Sequence, residues 1–374
     1  MTTQTLPRLS FAPLEGITGW VFRQVHQRRF PGLDRYYAPF FAPTTDSPLT
    51  GRGLSDLQPD HNQGVPVVPQ LLANQAEAFL AAARVLQDLG YAEVNLNLGC
   101  PSGTVVAKGK GAGFLAHPQA LDAFLADIFS RTDLAISIKT RIGVEDAAEW
   151  PALLAIFRRY PIRELTVHPR VRQEFYSSPI HFDWFDYAVE NSKNRLCYNG
   201  NLCTPAQIRE FEKKYPQINS AMIGRGLIGD PGMLTPGGTT AAALEAAITP
   251  KTKALILNSP NNPNGCVYPE KLLREIADLA VKHGFYVISD EIYEKLIYDG
   301  QKHVSIASLG EAIREQTIVV NGVSKSYAMT GWRIGYAAAP AKIAKAMSSF
   351  QSHSTSNANS IAQHAAAVAM TNGE

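Results

Sequence analysis

The sequence predicts an α/β protein in two parts: a closed (β/α)8 TIM barrel over residues 1–244, followed by a partial α/β fragment over residues 245–374. Three observations carry that expectation. Short apolar runs bounded by turn residues alternate with helical patterns through the first part, almost every run ends in a polar residue, and past Glu245 the texture changes to longer buried strands. In order, the runs are LSFAPLEG, DRYYAPFFA, VPVVPQLL, AEVNLNLGCP, LAISIKTRIG, ELTVHPR, RLCYNGN and SAMIGRGLI. Between them lie amphipathic stretches such as QAEAFLAAARVLQDLG and TPAQIREFEKKY. A parallel pair requires a crossover, and a ring of eight strands leaves no edge, so the alternation predicts closure.

Composition sets wide bounds. The 374 residues suffice for two domains, and 45% apolar with 18% charged residues is ordinary for a globular protein. A net charge of +2 gives no global basic excess, although Lys108 and Lys110 form a local pair, so charge alone decides nothing about an RNA partner. Cys100, Cys197, Cys203 and Cys266 include no CxxC pair, which argues against a zinc site or a disulfide scaffold and for a reducing, cytoplasmic compartment. The N-terminal MTTQTLPRLSFAPLEG lacks the basic segment and apolar core of a leader, and no run is long enough to span a bilayer.

Function is suggested by where the polar residues fall. Glu15, Gln70, Asn95 with Cys100, Lys139, His168, Asn199, and Gly224 with Arg225 each close a strand, and barrel active sites are assembled from those ends. Any one of them is equally well read as the cap of the next helix; seven on one rim are not. Ile223-Gly224-Arg225-Gly226 sets small residues and a guanidinium where a phosphate can approach. Lys139 offers positive charge to the electron-rich end of a flavin, and Gln70 and Asn199 offer hydrogen bonds to its edge.

The phrases APLEG, PQLLAN, NLNLGCPS, IKTRIG, TVHPR, YNGN and IGRG, in that order, resemble the tRNA-dihydrouridine synthases. The resemblance implies an FMN-dependent oxidoreductase, reduced by NADPH, that delivers hydride to uridine C6 in tRNA while Cys100 protonates C5. It also implies FMN contacts at Pro13, Leu14, Glu15, Gln70, Lys139, His168, Asn199, Gly200, Asn201, Gly224 and Arg225, with Arg141 and Arg170 facing RNA. Two departures stand out: Gly19 occupies a position where the family more often has a carboxylate, and the family's helical tRNA-holding domain is replaced after GDPGMLTPGG.

From Glu245 onward, SPNNPNG, SDEIY and NGVSKSYAMTGWRIGY resemble the large domain of class I aminotransferases, which are fold-type I pyridoxal-phosphate enzymes. By matching position, Lys325 is the lysine that holds pyridoxal phosphate covalently, Asp290 pairs with the pyridinium nitrogen, Asn262 and Tyr293 bond the ring hydroxyl, and Arg333 holds the phosphate. The family's earlier phosphate-gripping turn and its late substrate arginine have no counterpart here, and the chain stops within an element of the family pattern. The two resemblances meet between Ala241 and Ile248 without a flexible linker, so the sequence reads as a chimera. Three functions remain open on these residues: a dihydrouridine synthase impaired in tRNA binding, a pyridoxal-phosphate aminotransferase-like activity, or an inactive FMN-binding fusion. None involves DNA, a membrane or a metal, and the oligomeric state is unspecified.

Overall fold

The computed structural model describes residues 8–372 apart from 50, 177, 236–240, 263–264 and 299. Part of the SPNNPNG phrase and of the junction between the two resemblances therefore lies outside the described residues. The chain divides into two compact units, Met1–Gly238 and Thr239–Glu374.

The first unit is the barrel. Strands β1 (Arg8–Phe11), β2 (Arg35–Tyr37), β3 (Val67–Val68), β4 (Gln70–Leu71), β5 (Glu93–Leu98), β6 (Ala135–Arg141), β7 (Leu165–His168), β8 (Leu196–Tyr198) and β9 (Ser220–Ile223) form a parallel sheet ordered β3-β2-β1-β9-β8-β7-β6-β5-β4. Each predicted run supplies one strand except VPVVPQLL, which supplies two. Pro69 has no N–H to give to a ladder, so the strand breaks there into β3, paired with β2, and β4, paired with β5. The Pro69 carbonyl still accepts the Asn95 amide at 2.8 Å, and the broken strand completes the ring.

The surrounding helices bury one stripe each. In helix Ala76–Asp88, Phe79, Leu80, Ala83 and Leu86 recur at helical spacing and are buried against the barrel core. Burial of each large apolar side chain there is worth about 1.5–3 kcal/mol relative to exposure. Helix Pro205–Lys214 opens with a capping box, Thr204 accepting from the Gln207 amide at 3.2 Å, with proline at the first position. Helix Trp20–Arg29 starts after Gly19, which has no side chain to cap it; the Asp56 carboxylate accepts the Trp20 amide at 2.7 Å instead and pairs with buried Arg23 at 2.9 Å. The carboxylate missing at position 19 is thus supplied from another part of the chain.

The second unit is a four-stranded sheet, β10 (Ala254–Asn258), β11 (Tyr286–Asp290), β12 (Thr317–Gly322) and β13 (Gly335–Ala338), in that order, with only β13 antiparallel. Helix Glu270–His283 covers one face through Leu273, Ile276, Ala277 and Ala280, packed on Leu257 and Val287. The register places Ile256, Ile288 and Ile318 in a row on the opposite face, where Ile256 is 74% exposed. Among the described residues no helix is long and apolar enough to cross a membrane.

Candidate active site

Strand period brings the polar residues together. Side chains two apart share a face, so Asn95 and Asn97 on β5, Lys139 and Arg141 on β6, and Thr166 and His168 on β7 climb the same side toward the C-terminal rim. The rim opens into a cleft of about 580 Å³, mouth included, lined by Pro13, Leu14, Lys139, His168, Asn199, Gly200, Asn201, Gly224 and Arg225, and also by Gly99, Arg141, Tyr176 and Cys203. Nine of the eleven expected FMN contacts therefore line one cleft. Glu15 is exposed on the turn after β1, outside the lining, and Gln70 lies fully buried within the barrel.

Gln70 belongs to a chain of amides. Its Nε2 donates to Asn95 Oδ1 (2.8 Å), Asn95 Nδ2 donates to Ser137 Oγ (2.9 Å), and Asn97 Nδ2 donates to Gln70 Oε1 (2.9 Å). Asn97 Oδ1 then accepts the backbone amides of Gly99 (3.0 Å) and Cys100 (2.9 Å). Each amide's orientation is fixed by the next, and the last one holds the backbone of Cys100. Cys100 is half-buried, and burial pushes its thiol up, against a smaller downward pull from a Ser102 backbone contact, Arg141 and Lys139. The group keeps its proton at neutral pH, as a proton donor must.

Cations converge on the cleft. Lys139, Arg141 and Arg225 line it, and Arg170 stands behind, bonded to His168 and Asn201. None of the four makes an ion pair among the described residues, and Glu174, whose charge reaches Arg141 and Arg170, is bonded to His181 at 2.7 Å. Lys139 has no hydrogen-bond partner among the described residues either; burial, then Arg141, lowers its pKa to about 8. Burial, then Lys139, Arg141 and Arg170, holds His168 well below the usual histidine range, so its ring is neutral. Its tautomer follows from its neighbours. Asn199 Nδ2 donates to Met222 O at 2.8 Å, so Asn199 Oδ1 faces His168 Nδ1–H at 3.3 Å, while His168 Nε2 accepts from Arg170 at 3.2 Å. At the floor, a Cβ on Gly226 would meet the Leu202 carbonyl oxygen at 2.4 Å, and one on Gly200 would meet the Tyr198 hydroxyl at 2.0 Å. Both positions admit only glycine without rearrangement.

The structure corrects the expectation that Arg141 and Arg170 face RNA. Both are 1% exposed. Arg141 spends its donors on the carbonyls of Gly99 (3.0 Å), Val171 (2.9 Å) and Phe175 (2.7 Å), and Arg170 gives one to Ser178 O at 2.6 Å. Arg141 is the brace between the Cys100 turn and the loop after β7. Tyr176 carries no such expectation, yet its ring lies between the guanidinium groups of Arg141 (5.3 Å) and Arg225 (5.2 Å). Asn97 was legible in principle, two residues beyond Asn95 on the same face; Tyr176, in an irregular loop, carried no pattern.

In the second unit, β10, β11 and β12 are parallel, so the segments that follow them emerge at one edge of the sheet. There Asn262 Nδ2 lies 3.2 Å from the Tyr293 hydroxyl, and the Lys325 ammonium lies 5.5 Å from the Tyr293 ring centroid. Asp290, at the end of β11, accepts the Ile292 amide at 3.2 Å. Arg333 is exposed and donates to Thr330 O at 3.1 Å; no hydrogen bond or ring contact joins it to the other four among the described residues.

Comparison with known proteins separates the two units. The family model described as dihydrouridine synthase matches residues 10–256, and that described as aminotransferase class I and II matches residues 235–374. Curated relatives include the aspartate aminotransferases of Geobacillus stearothermophilus, 56% identical over 130 residues, and of Bacillus subtilis, 55% identical over 130 residues. Each match covers 35% of this chain and 33% of the relative, so the chain spans a third of the length of these enzymes. A solved structure of Thermus thermophilus aspartate aminotransferase with maleate is 43% identical over 43% of this chain and 40% of its own, with a TM-score of 0.35. The chain is a dihydrouridine synthase-type barrel fused to an aminotransferase-like fragment.

Proposed function

The chain belongs to the dihydrouridine synthase family, matched over residues 10–256, and on that premise we propose that its barrel is an FMN-dependent oxidoreductase that reduces uridine in tRNA with NADPH as the reductant. The observation that carries the reading is the concentration of cations at the cleft without ion-pair partners among the described residues, in a chain whose net charge is only +2. Such a site favours an occupant bearing phosphate and a conjugated, electron-rich ring.

The residues present fit FMN. Arg225 and Asn201, beside Gly224 and Gly226 in the lining, would hold its phosphate; Lys139, His168, Asn199, Gly200, Pro13 and Leu14 would surround the rest. Glu15 borders the same rim, and Gln70 acts from beneath through Asn97. Bound FMN supplies the hydride that goes to uridine C6. Cys100 donates the proton to C5, and its raised pKa keeps that proton available. Asn97 and Arg141 hold the Cys100 turn so that the donor meets the base in one orientation. We place the join between the two pieces at residues 244 and 245, within the stretch 235–256 that both families match.

A second reading has one contact in its favour, the convergence of Asn262, Tyr293 and Lys325. With Asp290 and Arg333 these residues would face pyridoxal phosphate, whose chemistry is carbanion stabilisation at an amino acid. The first reading is preferred because Arg333 is turned away to Thr330.

The visible spectrum of the purified, unsupplemented protein tests the choice. Twin flavin bands are the expected result. A single band that disappears in Lys325→Ala would favour the aminotransferase-like reading, and a colourless protein that takes up no added FMN would overturn the flavin reading.

A further inference from the structure

Beside the cleft, the barrel wall has a second concavity of about 850 Å³, mouth included, lined by residues of helices Phe182–Asn191 and Pro205–Lys214. Its wall is aromatic. Phe182 lies nearly parallel to Tyr198 (centroids 6.1 Å apart, 12°) and to Tyr215 (6.5 Å, 17°), and Tyr198 stacks on Phe211 (4.5 Å, 20°). The inner three rings are buried, whereas Phe182 is 40% exposed. The Lys214 ammonium sits 4.3 Å from the Phe182 centroid, 4.9 Å from that of Tyr215 and 4.0 Å from the Asp186 carboxylate, and Glu210 shares the lining.

Polar groups face the same space. The buried Tyr215 hydroxyl makes no hydrogen bond of 3.5 Å or less, and the Asp186 carboxylate is its polar neighbour. Gln207 accepts the amides of Cys203 (2.8 Å) and Thr204 (3.1 Å) through its oxygen, and Asn201 accepts from Arg170 and Arg225 through its own, which leaves the NH2 group of each uncommitted among the described residues. Asn201 and Leu202 line this groove and the cleft alike, so the two are continuous.

We propose that the groove holds an unpaired nucleobase of the RNA whose uridine enters the cleft, stacked on Phe182, with a flanking phosphate on Lys214. The inference rests on the reading that the barrel acts on tRNA. Drawing one uridine out of a folded RNA strips its neighbour of a stacking partner, and an aromatic plane next to the cleft restores that contact. Every base has a face to offer, so the site needs no sequence readout. In the free protein the Lys214 ammonium is shared between the ring, by a cation–π contact, and the half-exposed Asp186 carboxylate at 4.0 Å; an arriving base takes the ring and its phosphate competes with Asp186 for the ammonium. A pyridine dinucleotide fits less well, because its nicotinamide must reach the redox centre in the cleft rather than the outer wall.

The test uses the flavin-loaded full chain and measures tRNA affinity by fluorescence anisotropy, independently of turnover. Phe182→Ala is expected to weaken binding by about 5- to 100-fold with flavin content unchanged, the range typical for loss of one stacked base. Phe182→Trp should stay near wild type, and Lys214→Glu should weaken binding and flatten its salt dependence. Wild-type affinity in both Phe182→Ala and Lys214→Glu would overturn the proposal. So would a raised KM for the dinucleotide with tRNA affinity unchanged, or a wild-type chain that binds no tRNA. Uridine reduction by the wild type is scored separately: its absence alongside a Phe182-dependent affinity would sink the catalytic reading and leave the groove standing.

Discussion

Cys100 and Lys139 divide the proposed chemistry between a proton held and a charge offered. With Cys100→Ala the hydride acceptor has no proton source; flavin content should be unchanged and single-turnover uridine reduction should fall by about 10²- to 10⁴-fold, the usual worth of a positioned acid. Unaltered turnover would remove Cys100 from the mechanism. For Lys139, whose pKa burial lowers to about 8, the sign runs against alkaline pH. Only the ammonium attracts an anion, so FMN affinity should be level below that value and decline as pH rises through it. Lys139→Arg, charged throughout, should abolish the decline, as fluorescence titration of the apoprotein one unit either side of pH 8 would show. Residues at this scale were unevenly legible. Lys139, His168 and Asn199 announce themselves by closing strands, but Arg141 does so too and serves as an internal brace, because three backbone carbonyls reach its guanidinium before solvent does.

Among elements, the loop that follows β5 matters most. It is tied at its start by Asn97 and Arg141, and further along by Asn74, whose Nδ2 donates to the carbonyls of Lys108 (3.0 Å) and Gly109 (3.2 Å). Asn97→Ala leaves two backbone amides and the Gln70 oxygen without their partner. It should cost about 1–3 kcal/mol of stability and lower the rate of uridine reduction by roughly tenfold or more, with little change in flavin content. Equal losses of flavin and rate would instead assign Asn97 to cofactor binding. Strands and helices were readable because period and caps are local: Thr204 and Gln207 mark a helix start in the letters alone. VPVVPQLL reads as one strand, and its split at Pro69, which cannot donate, is a finding of the structure. What escaped was the supply of Asp56 to the helix after Gly19, a contact between residues 36 positions apart that no window of sequence contains.

Across the whole molecule, two units with separate cores meet in one chain, and the first brings nine of its eleven proposed cofactor contacts to one cleft. Lys325→Ala should therefore leave uridine reduction within about twofold of wild type, well under the 1.4 kcal/mol that a tenfold change represents. A larger loss would show that the second unit works in the same reaction. The division into units was legible because each half carries its own ordered phrases, whereas the exposure on the second sheet was not: Ile256, Ile288 and Ile318 read alike as buried strand residues, yet Ile256 is exposed and the other two are half-buried. The exposed end of that row, at Ile256, sets a practical ceiling. Encounters between molecules rise with the square of concentration, and each can bring two such faces together. Storage life would then be decided by the appended sheet rather than by the barrel, and dilution would preserve the protein better than cold.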